Sequence, residues 1–150
     1  MQVILGANGQ IGEELAGELK RNFTSDIKIV SRKPKKVNDT DVLFSADLTN
    51  REQAIEAVKG CEIAFFTLGL PISSSMWENQ FPIIVENVIE ACKKEKTKLV
   101  FFDNTYMYPQ DDRKLSESTI FQPVGRKGKV RKKLAEMVLE AMTKGELEAV

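Results

Sequence analysis

Three glycines near the start of the chain, Gly6, Gly9 and Gly12, are spaced so that a backbone could hold an anion. They follow a short apolar run, Gln2-Val3-Ile4-Leu5, and lead into an amphipathic stretch, so the order is strand, turn, helix. In that order Gly6 permits a tight turn. Gly9 lets the backbone approach a phosphate with no side chain between, and Gly12 lets the helix pack close to the strand. The first turn of the helix presents unpaired N–H groups and a partial positive charge to a pyrophosphate. Asn8, Gln10 and Ile11 belong to the same candidate cradle. A glycine-rich turn in some other α/β domain is the plainer alternative.

A second set of residues bears on which ligand such a cradle would take. Ile27-Lys28-Ile29-Val30 reads as a strand and ends at Ser31-Arg32-Lys33, with no acid nearby. In a dinucleotide-binding fold an acid here would bind the adenosine ribose hydroxyls, whereas an arginine accommodates a 2′-phosphate. A guanidinium grips phosphate with paired donors and a carboxylate repels it, so Arg32 with Ser31 favours NADP over NAD. A solvated basic turn is the alternative, since Lys35 and Lys36 continue the run.

The composition removes other chemistries. The 150 residues contain no histidine, which excludes His-based triads, most zinc sites and the usual neutral-pH base; no metal site is expected. Lys and Arg number 22 and so do Asp and Glu, so no net charge draws the chain to nucleic acid or a membrane. No apolar run reaches membrane-spanning length and the N-terminus has no signal-peptide pattern. Cys61 and Cys92 both fall in apolar patterns and read as buried thiols. A cytoplasmic protein is expected.

The elements that would position these residues alternate. Ile11, Leu15, Leu19 and Phe23 recur at four-residue steps and predict the buried face of the first helix. Val42 to Ala46 is a third strand closed by Asp47-Leu48. A helix follows, with Thr49 or Asn50 as its cap, Ala54, Ile55 and Val58 on its buried side, and Gly60 at its end. Ile63 to Leu68 is an apolar run suited to a central parallel strand, ending at Gly69. Trp77 to Lys94 reads as a long helix beginning close to Pro82. Lys98 to Phe102 is a fifth strand, and Gly125 onward a last helix. This alternation predicts an α/β fold, a doubly wound parallel sheet with crossover helices on both faces.

The Gly-x-x-Gly-x-x-Gly spacing resembles the short-chain dehydrogenase/reductase superfamily, in particular its extended and atypical branches of NAD(P)-dependent epimerases and dehydratases, with an NAD(P)-binding Rossmann fold. The resemblance covers essentially the whole chain. It implies that Asp47 contacts the adenine amino group with Leu48 flanking the ring, although Asp47 suits a turn or helix-capping role nearly as well. It implies that Thr67, Leu68 and Gly69 pass the cofactor's ribose, and that Asn87 is structural. Met107-Tyr108-Pro109 looks like the family's Val-Tyr-Gly turn, and counting back four residues places the catalytic Ser/Thr at Asn104, with Thr105 beside it.

The family's Tyr-x-x-x-Lys is missing. With Lys129 as the lysine the tyrosine position holds Gly125; with Lys132 it holds Gly128. General acid–base catalysis contributes about 10²–10⁴-fold, so efficient alcohol/ketone chemistry lacks its proton donor. Six of the eight residues from Arg126 to Lys133 are basic, which fits either a bound anion or a solvated face. Glu146 to Val150 looks like the start of a sixth strand, so the chain reads as a cofactor half whose substrate-binding region is absent. An open sheet edge there would invite a second copy. Three functions follow: the NAD(P)-binding domain of an epimerase/dehydratase-like oxidoreductase with NADP favoured and an unknown small-molecule substrate; a non-catalytic NADP-binding sensor or regulator; or a Rossmann-like module for another nucleotide or phosphosugar.

Overall fold

A computed structural model describes residues 1–150. Five parallel strands, β1 (Gln2–Leu5), β2 (Ile27–Ser31), β3 (Val42–Ser45), β4 (Ile63–Phe66) and β5 (Lys98–Phe101), lie in the order β3-β2-β1-β4-β5. The order reverses between β2 and β4 around β1, and such a switch point is where open α/β sheets bind ligands. The helices are α1 (Gln10–Asn22), α2 (Arg51–Val58), α3 (Ser74–Glu95) and α4 (Gly125–Thr143). The expected doubly wound sheet is therefore present. Its sixth position is begun by residues 148–150: Leu99 N–H donates to Glu148 O, Phe101 N–H to Val150 O, and Val150 N–H to Leu99 O. A parallel bridge joins Leu99 and Ala149, so the β5 edge is partly covered rather than open.

The two faces are filled unequally. On one, α2, α3 and α4 bury a cluster that includes Val3, Leu5, Phe66, Phe81, Val85 and Leu134. On the other, α1 alone packs Ala16 and Leu19 on Ile4, Ile27 and Ile29. The β2–β3 crossover, Arg32 to Asp41, carries no helix.

Three expectations need correction. The buried side of α1 is Gly12, Ala16 and Leu19; Ile11 is 43% exposed and Phe23 is 75% exposed. The apolar stripe was displaced by one residue because the helix approaches the sheet through its small residues. α3 does not begin near Pro82. Ser73 caps it by accepting from Met76 N–H at 3.3 Å, and Pro82 lies inside. A proline there leaves the Glu78 carbonyl without its helical donor, and the buried residues on either side, Trp77, Phe81, Ile84 and Val85, carry the helix through it. Finally, β4 and β5 each stop short of the expected ends, at Phe66 and Phe101. Asn87 is structural as expected: buried, it donates to Leu48 O at 3.0 Å and ties α3 to the end of β3.

Candidate functional site

The three glycines of the first turn have different reasons to be glycine. Gly6 has φ +92°, and a Cβ there would lie 2.4 Å from Leu68 Cα. A Cβ on Gly12 would lie 2.6 Å from Ala7 Cα, which is the close approach of α1 to the strand end. Gly9 has neither constraint: its nearest neighbour would be Gly6 O at an ordinary 3.7 Å. Packing explains the outer pair and leaves the middle glycine facing space. Gly9 is also the N-cap of α1, with no side chain capping the helix, whereas Asn50 caps α2 by accepting from Gln53 N–H. The first N–H groups of α1 are thus unspent and carry the positive end of the helix dipole.

Gly9 opens on a cleft of about 950 Å³ at the carboxyl ends of the strands. Its walls come from Gly6, Asn8 and Gly9; from Ser31, Arg32 and Lys33 after β2; from Asp47, Leu48 and Thr49 after β3; and from Leu68, Gly69 and Leu70 after β4. Local hydrogen bonds fix the β2 corner. Asn8 Nδ2 donates to Lys33 O at 2.7 Å, Ser31 Oγ donates to Asn8 Oδ1 at 3.1 Å, and Lys33 N–H donates to Ser31 Oγ at 3.2 Å. Asn8 and Ser31 therefore hold the corner in shape, and the Arg32 side chain lines the cleft. Asp47 does what a turn-capping residue does: Oδ1 accepts from Thr49 Oγ1 at 2.7 Å and from Thr49 N–H at 2.9 Å. Those hydrogen bonds, with a smaller contribution from the Arg32 charge, hold its carboxyl below the usual range.

A dinucleotide fits these features. An uncapped helix start behind a glycine with open space suits a pyrophosphate, the Arg32 corner suits the ribose end, and Leu48 with Ile84 offers an apolar wall for a flat ring.

Not every expected residue joins the cleft. Gly12 is buried in packing, Gln10 and Ile11 lie on the outside of α1, and Thr67 lines the opposite sheet face, its Oγ1 donating to Leu5 O at 3.2 Å. Asn104 and Thr105 do not line the cleft; Asn104 Oδ1 accepts from Tyr106 N–H at 3.0 Å within its own turn. Lys129 is exposed on α4. The two alternative tyrosine positions disfavour a side chain for different reasons, the backbone conformation at Gly125 and a close contact at Gly128. Gly125 has φ +71°, and a Cβ on Gly128 would lie 2.7 Å from Tyr106 O.

One cluster escaped the sequence reading. Arg131, 7% exposed, lies in the basic run yet is buried. Its guanidinium carbon sits 4.5 Å from the Phe81 ring centre and 4.9 Å from that of Trp77. Its Nη1 donates to Asp103 Oδ1 at 3.2 Å, and Asp103 Oδ1 also accepts from Asn104 N–H. Asp103 Oδ2 and Arg131 Nε are buried without a partner. Burial pushes the Asp103 carboxyl up and the Arg131 guanidinium down from their ordinary values, against their mutual attraction. A signal existed: Arg131, Leu134, Val138 and Ala141 share one helical stripe, so an arginine stood at a core position.

An open parallel sheet with a glycine cradle at its switch point defines the class of dinucleotide-binding domains. The chain belongs to the NAD(P)H-binding family, whose model matches residues 6–144. Among solved structures, uronate dehydrogenase from Agrobacterium tumefaciens superposes with a TM-score of 0.87 at 17% identity, over 99% of this chain and 57% of that one. MoeE5 in complex with UDP-glucose and NAD gives 0.81 at 22% identity, over 99% and 51%. UDP-N-acetylglucosamine 4-epimerase from Bacillus cereus gives 0.83 at 14%, over 99% and 50%. At such identities the likeness is one of fold, and the chain spans about half the length of these proteins. No curated protein matches the sequence. No helix is long and apolar enough to cross a membrane.

Proposed function

We propose that this chain is the NADP-binding half of an oxidoreductase of the epimerase/dehydratase type. The observation that carries the reading is the corner after β2, where Arg32 and Lys33 face the cleft and Asn8 and Ser31 brace the backbone beneath them. When bound, the nicotinamide dinucleotide supplies hydride chemistry. The chain's own residues bind and orient it: the α1 N–H groups hold the pyrophosphate, Arg32 takes the 2′-phosphate, and Asp47 Oδ2, with no hydrogen bond of its own, accepts from the adenine amino group. Gly69 lets the backbone pass the ribose. Asn104, Thr105 and Lys129 remain the candidates for contact with a small-molecule substrate, and two unbridged buried thiols accord with a cytoplasmic setting.

A binding titration with NADPH and NADH tests this. Hydrogen bonds to charged groups contribute about 1.5–3 kcal/mol, so Arg32→Ala should weaken NADPH about 10- to 100-fold and leave NADH nearly unchanged. Equal affinities for the two dinucleotides in the unaltered protein would overturn the NADP reading.

A second reading, a non-catalytic NADP-binding regulator, is favoured by one observation. The two positions where the catalytic tyrosine would stand hold glycine, Gly125 and Gly128, and at Gly128 a Cβ would lie 2.7 Å from Tyr106 O. NADPH binding without turnover of any carbonyl substrate would favour it.

A further inference from the structure

One wall of the cofactor cleft belongs to α3, where Gln80 and Ile84 line it. Positions 80, 84 and 87 recur at i, i+4 and i+7, so they form one row along a single face of that helix. The foot of the row is fixed: Asn87, buried, donates to Leu48 O at 3.0 Å, which turns the row toward the end of β3. The middle is Ile84, 3% exposed, which with Leu48 makes the apolar wall suited to a flat ring. The top is Gln80, one helical turn, about 6 Å, nearer the carboxyl ends of the strands, where α3 begins.

The polar side chains around Gln80 are spent within the chain. Ser73 Oγ accepts from Met76 N–H, Trp77 Nε1 donates to Pro71 O at 3.0 Å, and Asn79 Nδ2 reaches Ser75 Oγ at 3.5 Å. Gln80 is half-buried and stands between Trp77 and Ile84 in the inward stripe, yet its amide has no partner in the chain. A carboxamide brings two N–H donors and an acceptor oxygen. Packing alone would be served better by an aliphatic side chain, since screening an amide that bonds nothing costs free energy. A ligand in the cleft accounts for the unspent amide. The cleft lining draws on residues 6–84 alone, and residues 148–150 lie at the far edge of the sheet, on β5.

We propose that Gln80 is a further cofactor-binding residue: its amide hydrogen-bonds the adenosine end of the dinucleotide, above the ring that Leu48 and Ile84 hold. The inference rests on the dinucleotide reading above and adds a contact of a different kind. Arg32 meets the 2′-phosphate, which only NADPH carries. Gln80 meets a part that NADPH and NADH share. A neutral amide matches that part, whose ring nitrogens accept and whose amino group and hydroxyls donate.

Titration of the full chain with NADPH, NADH and ADP tests this, with Gln80→Met beside the unaltered protein. Methionine keeps the length and bulk of the side chain and removes its amide. One neutral hydrogen bond sets the scale, so Gln80→Met should weaken all three ligands by one common factor of about three- to tenfold. Arg32→Ala, by contrast, should weaken NADPH alone. The urea midpoint of Gln80→Met should match that of the unaltered protein, because no bond within the chain is lost. Unchanged affinity for all three ligands overturns the proposal and leaves the dinucleotide reading in place. A loss confined to NADPH moves Gln80 to the 2′-phosphate, and a loss for the dinucleotides without one for ADP moves it to the nicotinamide half; each overturns the proposal. A midpoint that falls assigns Gln80 to the fold and overturns it as well. An unaltered protein that binds none of the three overturns the dinucleotide reading and this inference together.

Discussion

At the scale of single residues, the cradle separates what the fold needs from what a ligand needs. Gly6 and Gly12 are held by contacts of 2.4 and 2.6 Å that any Cβ would make with backbone. Gly12→Val should therefore destabilise the fold outright; forced overpacking costs about 1–3 kcal/mol, and here the obstacle is main chain. Urea denaturation would show a midpoint shift at Gly12→Val and little at Gly9→Val. The same contrast explains what the sequence could reveal. The spacing of glycines pointed to the turn correctly, but spacing alone could not say that Asn8 and Ser31 would be spent on each other and on Lys33. The Asn8 bonds join residues 23 and 25 apart in the chain, which no local spacing encodes. The Asp47 carboxylate, engaged by Thr49 two residues on, takes the turn role that the sequence offered as its alternative.

At the scale of elements, the α3–α4 seam is the least expected part of the molecule. Arg131 lies flat between Trp77 and Phe81 and holds Asp103, so a basic helix is pinned to the end of β5 by one buried ion pair. Removing one partner of a buried pair leaves the other charge uncompensated, at about 3–5 kcal/mol. Arg131→Met should lose that much in chemical denaturation, and Arg131→Met/Asp103→Leu should recover most of it. The pair also sets a pH dependence. The Asp103 carboxyl titrates above its ordinary value in the fold, because burial disfavours the charge. The folded state therefore holds that proton more tightly than the unfolded chain. Its contribution to stability is greatest below the ordinary carboxyl pKa. It falls as pH rises through that value and through the raised folded one. The stability difference between the unaltered protein and Asp103→Asn should shrink over that window; a difference that grows with pH would contradict the account. Periodicity made α4 legible as a helix, but the charge run hid a core position, because composition counts Arg131 with its solvated neighbours.

At the scale of the whole molecule, the strand–helix alternation was enough to predict the sheet and its doubly wound topology. Each strand is a short apolar run between turn signals, and parallel strands need crossovers. The strand order and the unequal covering of the two faces were not visible, since both depend on which crossovers carry helices. The Arg32–Asp41 connection carries none, and that leaves α1 alone on its face. The α1 stripe was misplaced because the helix meets the sheet through Gly12 and Ala16, which turns Ile11 outward to the rim of the groove between α1 and the sheet. Architecture and cradle together place the chain among NAD(P)H-binding proteins, with the cleft at the switch point where β1 meets β2 and β4.

The most direct test of the cradle is a titration of the folded Gly9→Val variant with NADPH, beside the unaltered protein. A Cβ at Gly9 meets nothing closer than Gly6 O at 3.7 Å, so the fold admits a side chain there, and the valine occupies the approach to the α1 N–H groups. The account predicts a native denaturation midpoint together with loss of NADPH binding. Binding that survives Gly9→Val at unchanged affinity would contradict it, and would mean that the dinucleotide does not lie over the start of α1.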